Sequence, residues 1–262
     1  MQAKSALEYL FIACAALLIF AACRSSALNH NGIEPSILLV GNSFTAINGG
    51  IAQQLKSLVP TGNIASVAPG GYTLAKHWND ENTRQTIRDH QWKYVVLQEQ
   101  SQTPIFDLAK FREFAGALDQ EIKRGGAKTI LFMTWERPDS VAYGVTTTNL
   151  ADAYESVGTD LGAKVAPVGL AFARSLSERP ELSLSTQDGH PTLHGTYLAA
   201  CVLYGTIFEQ SPVGKSSPEE NLSAEVQAYF QKIAAESLGY SSTSRRSHSA
   251  KSVHSLSEPR GV

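Results

Sequence analysis

The chain has 262 residues, 43% of them hydrophobic, enough to bury one sizeable core, so the expectation is a single domain of roughly 200 residues with tails. A formal net charge of −2 gives no electrostatic footing for nucleic acid. The cysteines Cys14, Cys23 and Cys201 and the histidines show no zinc-ligand spacing, so no metal is expected.

In chain order, Lys4 precedes an apolar stretch from Tyr9 to Ala22, which has the length of a signal-peptide core and is short for a membrane span. Export is the expectation. The stretch ends Phe20-Ala21-Ala22-Cys23, which resembles the lipobox of bacterial lipoproteins. That likeness implies a lipid on Cys23, a location in the periplasm or at the cell exterior, and membrane contact only through the anchor. Cleavage without lipidation and an uncleaved anchor are the alternatives. Residues 1–23 are thus read as a signal peptide, 24–34 as a tether, 35–240 as the folded domain and 241–262 as a disordered tail. The tail holds Arg245, Arg246, Lys251, His248 and His254 but almost no large apolar residue to bury.

From Ser36 onward, short apolar runs alternate with longer amphipathic stretches, the pattern of βα units around a parallel sheet. Five strands are expected, at Ile37 to Val40, Ile64 to Val67, Tyr94 to Gln98, Thr129 to Met133 and Ala163 to Val168. A helix is expected to start near Ile47. Leu108, Phe111, Phe114, Leu118 and Ile122 recur at helical spacing and stop at Gly125-Gly126, which makes a crossover helix. Further helices are expected over Asn149 to Leu161, from about Gly195 with Leu198, Cys201 and Val202 inward, and from Leu222 to Leu238. Cys201, in that apolar setting, reads as a small core residue. The expected fold is one three-layer α/β/α domain with a five-stranded parallel sheet.

Four stretches gather at strand ends, where open α/β sheets bind their ligands. Gly41-Asn42-Ser43-Phe44-Thr45 follows the first strand, and by itself suits either a nucleophilic serine or a phosphate-cradling turn of the flavodoxin kind. Ala68-Pro69-Gly70-Gly71-Tyr72 follows the second strand, and its glycine pair lets a backbone N–H approach a ligand. Gln98-Glu99-Gln100-Ser101-Gln102 crowds polar groups at the end of the third. Asp188-Gly189-His190 lies after the last strand and just ahead of a helix, and supplies a histidine with a nearby carboxylate, as a general base held in one tautomer requires.

In this order the four stretches resemble the SGNH hydrolases, also called GDSL-like lipases and esterases, over about Ser36 to Tyr240. The resemblance implies a flavodoxin-like sheet, Ser43 as nucleophile, His190 as general base, Asp188 as its acid, and the N–H groups of Ser43 and Gly71 as oxyanion donors. No cofactor is implied. The family's third donor is an asparagine, and none occurs between Asn82 and Asn149. Gln98, Gln100 and Gln102 are the candidates, with Gln98 preferred and Gln102 as the positional match. The family's acid stands three residues before the histidine, where this chain has Gln187; Asp188 stands two before, so either it still reaches the ring or serine and histidine act as a pair. His77 and Trp135 are expected to line the substrate site.

The expected function is an exported serine esterase acting on a small-molecule or glycan ester, with O-acetyl groups on carbohydrate favoured. A catalytically weak carbohydrate-binding or surface-assembly lipoprotein on the same fold is the alternative.

Overall fold

Each of the five apolar runs becomes a strand in a computed structural model that describes residues 35–215 and 221–240. The expected signal peptide, Cys23, the tether and the tail lie outside these residues. The strands are β1 (Ser36–Val40), β2 (Asn63–Val67), β3 (Tyr94–Leu97), β4 (Lys128–Phe132) and β5 (Lys164–Ala166). They form one parallel sheet in the order β2-β1-β3-β4-β5. This is the flavodoxin-like order.

The helices, in chain order, are α1 (Ser43–Ala46), α2 (Ile51–Leu58), α3 (Leu74–Asn79), α4 (Glu81–Asp89), α5 (Thr103–Phe106), α6 (Leu108–Arg124), α7 (Thr147–Leu161), α8 (Val168–Glu178), α9 (Leu193–Phe208) and α10 (Ala224–Ser237). Of these, α3, α4, α5 and α8 were not anticipated. α4 carries only Thr83 and Ile87 inward, and α3 is six residues long, so neither gives a sustained apolar period.

Side chains alternate across each strand, and both faces of the sheet are covered, which is why the inner strands β1, β3 and β4 read as nearly unbroken apolar runs while the edge strand β2 is only partly buried. Ile37, Leu39, Val96, Ile130 and Phe132 share one core with α2, α8, α9 and α10. Leu38, Val40, Val95, Leu97 and Leu131 share the other with α3, α4, α6 and α7. α9 is apolar all round, and every residue from Gly195 to Ile207 is buried, Cys201 among them. It packs against α2, α8 and α10 and so sits inside the domain.

Three strands end earlier than expected. β3 stops at Leu97, β4 at Phe132, and β5 at Ala166 because Pro167, which has no N–H, caps α8. The helix expected near Ile47 is replaced by two. α1 begins at Ser43 itself, and Asn48, Gly49 and Gly50, all at positive φ (58°, 78° and 83°), separate it from α2. Among the described residues no helix is long and apolar enough to cross a membrane.

Candidate active site

In this strand order the sheet reverses its winding between β1 and β3, and the loops after those two strands part around a crevice at its carboxyl edge. A shallow cleft of about 320 Å³ lies there, lined by Asn42, Ser43, Phe44, Gly71, Gln100, Ser101, Arg137 and His190. Three of the four stretches singled out in the sequence contribute through the loops after β1, β2 and β3, and the fourth through the loop ahead of α9.

Ser43 is the first residue of α1. Asn42 caps that helix through Oδ1, which accepts from the N–H of Phe44 at 3.1 Å, and its Nδ2 donates to the carbonyl of Tyr72 at 2.9 Å. The turn is tied to three neighbours. Gly41 donates to the Val67 carbonyl at 3.1 Å, Asn42 N–H donates to Gln98 Oε1 at 3.0 Å, and His77 Nε2 lies 2.7 Å from the Gly41 carbonyl. A Cβ on Gly41 would lie 2.6 Å from Gln98 Oε1 and closer still to Thr45 Oγ1, so only glycine fits where strand and turn meet.

His190 Nε2 stands 2.9 Å from Ser43 Oγ, and its Nδ1 stands 2.9 Å from Asp188 Oδ2. Asp188 reaches the ring from two residues away because the loop folds back at Gly189, whose φ is 84°. Thr186 closes the loop by donating its N–H to the His190 carbonyl at 2.8 Å, and Ser185 and Pro191 form an antiparallel bridge at its base. The Thr186 hydroxyl, followed by His190, holds the Asp188 carboxyl down at about 2. The loop is anchored to the serine side by Asn48, whose Nδ2 donates to the Pro191 carbonyl at 2.7 Å.

The N–H of Ser43, first in its helix, and that of Gly71, at a φ of 70°, donate to no described residue. Both residues line the cleft. Gln100 also lines it, and the end of its amide that faces each partner follows from those partners. The N–H groups of Gln102 and Thr103 donate to Oε1 at 2.9 and 3.1 Å, so the NH2 end is the one left over, and it reaches only Ser101 Oγ, at 3.4 Å. Arg137 closes one side. It donates to Asp139 through Nε at 3.0 Å and Nη2 at 2.6 Å, to Ser101 Oγ at 3.3 Å, and packs across Gly189.

Four expectations are corrected. Gln98 does not face the cleft: it is 1% exposed, its Oε1 accepts from Asn42 N–H and Thr45 Oγ1, and its Nε2 donates to the Glu99 carbonyl. Gln102 caps α5 and is not among the lining residues; Gln100 takes the place expected of these two. His77 is fully buried under the turn, and that burial pushes its pKa down, which favours the neutral ring donating to Gly41. Trp135, 2% exposed, lies beneath the site: its ring stacks on Phe44 and Phe172 with centroids at 4.6 and 4.3 Å, and its Nε1 donates to the Gly189 carbonyl at 3.1 Å. Arg137 was not anticipated, since a lone arginine two residues past Trp135 carries no periodic or motif signal.

Chemically, a hydroxyl, an imidazole and a carboxylate in series can deprotonate the hydroxyl for attack, and the free N–H groups beside it can receive an oxyanion. Among the described residues no cluster of His, Cys, Asp and Glu could hold a metal ion.

Comparison with solved structures finds the same arrangement of strands and helices. A protein assigned to the SGNH hydrolases from Slackia heliotrinireducens matches with a TM-score of 0.59 and 28% identity, over 66% of this chain and 99% of that one. A DUF4886 family protein from Bacteroides uniformis matches with a TM-score of 0.62 and 16% identity, over 79% and 95%. An acetyl xylan esterase, AlAXEase, matches with a TM-score of 0.51 and 16% identity, over 66% and 99%. No family model matches the sequence, and no curated protein matches it.

Proposed function

We propose that the chain, which shares its fold with the SGNH hydrolases and is 28% identical to the Slackia heliotrinireducens protein assigned to them, is a serine ester hydrolase of that family using Ser43, His190 and Asp188. One observation carries the reading: Ser43 Oγ, His190 and Asp188 stand in series, with both links 2.9 Å long, beside unused N–H groups at Ser43 and Gly71. His190 Nε2 takes the Ser43 proton as Oγ attacks the ester carbonyl. The Asp188 carboxylate fixes the Nδ1–H tautomer and offsets the imidazolium charge. Negative charge on the carbonyl oxygen falls to the N–H groups of Ser43 and Gly71 and the Gln100 amide. The imidazolium then protonates the departing alkoxide, and water activated by the same ring hydrolyses the acyl-enzyme.

The shallow cleft favours a short acyl group on a large alcohol that stays outside. An O-acetyl group on carbohydrate meets that description, and a relative of this fold is an acetyl xylan esterase. Export and lipidation at Cys23 belong to the same proposal and rest on residues 4–23 of the sequence; incorporation of labelled fatty acid, lost in Cys23→Ala, tests them.

The test of function is hydrolysis of p-nitrophenyl acetate and of acetylated oligosaccharides by the parent and by Ser43→Ala. Turnover that vanishes in the variant supports the proposal. Equal rates overturn it, and a folded, inert parent that binds glycan supports the binding-protein alternative instead.

A further inference from the structure

Glu99 follows Gln98 where the chain leaves β3, and its side chain is 1% exposed. Lys110 acts on its carboxyl only through its field, and no described cation bonds it. A buried carboxyl without a bonded counter-ion is costly, and an apolar residue of similar volume would avoid that cost. What the carboxyl does hold is two backbone N–H groups. Leu74 N–H lies 3.2 and 3.3 Å from its two oxygens, and Gln100 N–H lies 2.6 Å from Oε1.

Those two donors belong to different loops, and each bears on the cleft. Leu74 opens α3 three residues after Gly71, so its position sets where the Gly71 loop ends. Gln100 is itself the amide that lines the cleft. Glu99 is thus the bridge between the loop after β2 and the loop after β3. Asn42 Nδ2, donating to the Tyr72 carbonyl at 2.9 Å, makes the matching link from the Ser43 turn to the Gly71 loop. The three candidate oxyanion donors are spaced by these two side chains.

We propose that Glu99 is a positioning residue of the oxyanion hole, holding the Gly71 loop and Gln100 at the separation that the developing oxyanion requires. The inference rests on the hydrolase reading above. A carboxyl group suits the task because its oxygens accept two N–H groups from divergent directions, which a hydrocarbon side chain cannot do. Loss of such a clamp loosens donors that matter only as charge develops, so the effect belongs in kcat more than in KM.

The test uses Glu99→Leu, which fills the volume without accepting, and Glu99→Gln, whose amide oxygen still accepts both N–H groups. With p-nitrophenyl acetate, Glu99→Leu is expected to lower kcat about 100-fold, the scale of one lost oxyanion donor, with KM within about threefold of the parent. Glu99→Gln is expected to retain kcat within about tenfold, and Glu99→Leu in a Gln100→Ala background to add far less than it does alone. Should Glu99→Leu not fold, Glu99→Ala carries the same expectation. Parental kcat in a folded Leu or Ala variant, or an effect undiminished by Gln100→Ala, overturns the role of Glu99 while the hydrolase reading stands. A parent without Ser43-dependent turnover overturns both.

Discussion

Removing the Glu99 carboxyl should change how stability depends on pH, in a direction opposite to that of most carboxylates. Burial raises this group from an ordinary 4.5 to about 7, against the opposing pull of the Gln100 and Leu74 N–H groups and the field of Lys110. Between those values the folded chain keeps the proton while the unfolded chain has released it, so stability falls as pH rises through the window and levels off above about pH 7. At 1.36 kcal/mol per pKa unit the full change is roughly 3 kcal/mol. His77, which burial lowers, pulls the other way below its ordinary 6.5, so the parent curve alone mixes the two. The difference between parent and Glu99→Leu isolates the carboxyl. Urea unfolding at intervals from pH 4.5 to 8.5 should show Glu99→Leu gaining roughly 3 kcal/mol on the parent toward the alkaline end. A difference that stays constant with pH would refute the reasoning, because a carboxyl already ionised at pH 5 has found solvent or a counter-ion.

The three glutamines separate by role. Gln100→Ala should lower kcat about 100-fold or more, as loss of one oxyanion donor does, and Gln102→Ala should leave it near the parent value. Gln98→Ala strands the buried N–H of Asn42 and should cost about 1–3 kcal/mol in denaturant unfolding. Gly71→Ala forces a Cβ into a φ of 70°, with no neighbouring atom in the way, so the strain of about 1 kcal/mol should turn the loop and lower kcat with little loss in Tm. Asp188, held down at about 2, stays ionised across the working range, so Asp188→Asn, which takes that charge and the acceptor away from His190, should lower kcat/KM by about tenfold or more. An unchanged kcat/KM would mean that Ser43 and His190 act as a pair.

How far the sequence carried varies with the kind of information involved. Ile37 to Val40 was legible as a strand because burial on both faces leaves an uninterrupted apolar run, and the helix of Phe111, Leu118 and Ile122 because one buried face repeats at helical spacing. The glutamines were not. Strand alternation would turn Gln98, Gln100 and Gln102 to one side, but β3 ends at Leu97 and α5 begins at Thr103, so each points its own way. The reach of Asp188 depends on the left-handed turn at Gly189, a backbone state that the pair Asp-Gly permits but does not dictate. Trp135 follows the end of β4 and His77 lies in the short helix α3, and composition cannot separate a residue facing the cleft from one bracing it. Their roles beneath Gly41, Phe44 and Gly189 are set by packing between elements far apart in the chain.

An activated nucleophile at Ser43 is tested most directly by incubating the protein with a fluorophosphonate and mapping the adduct by mass spectrometry, which needs no knowledge of the substrate. One adduct per chain is expected, on Ser43, absent from Ser43→Ala and formed far more slowly in His190→Ala. A folded protein that stays unlabelled, or that is labelled on another residue, would contradict it.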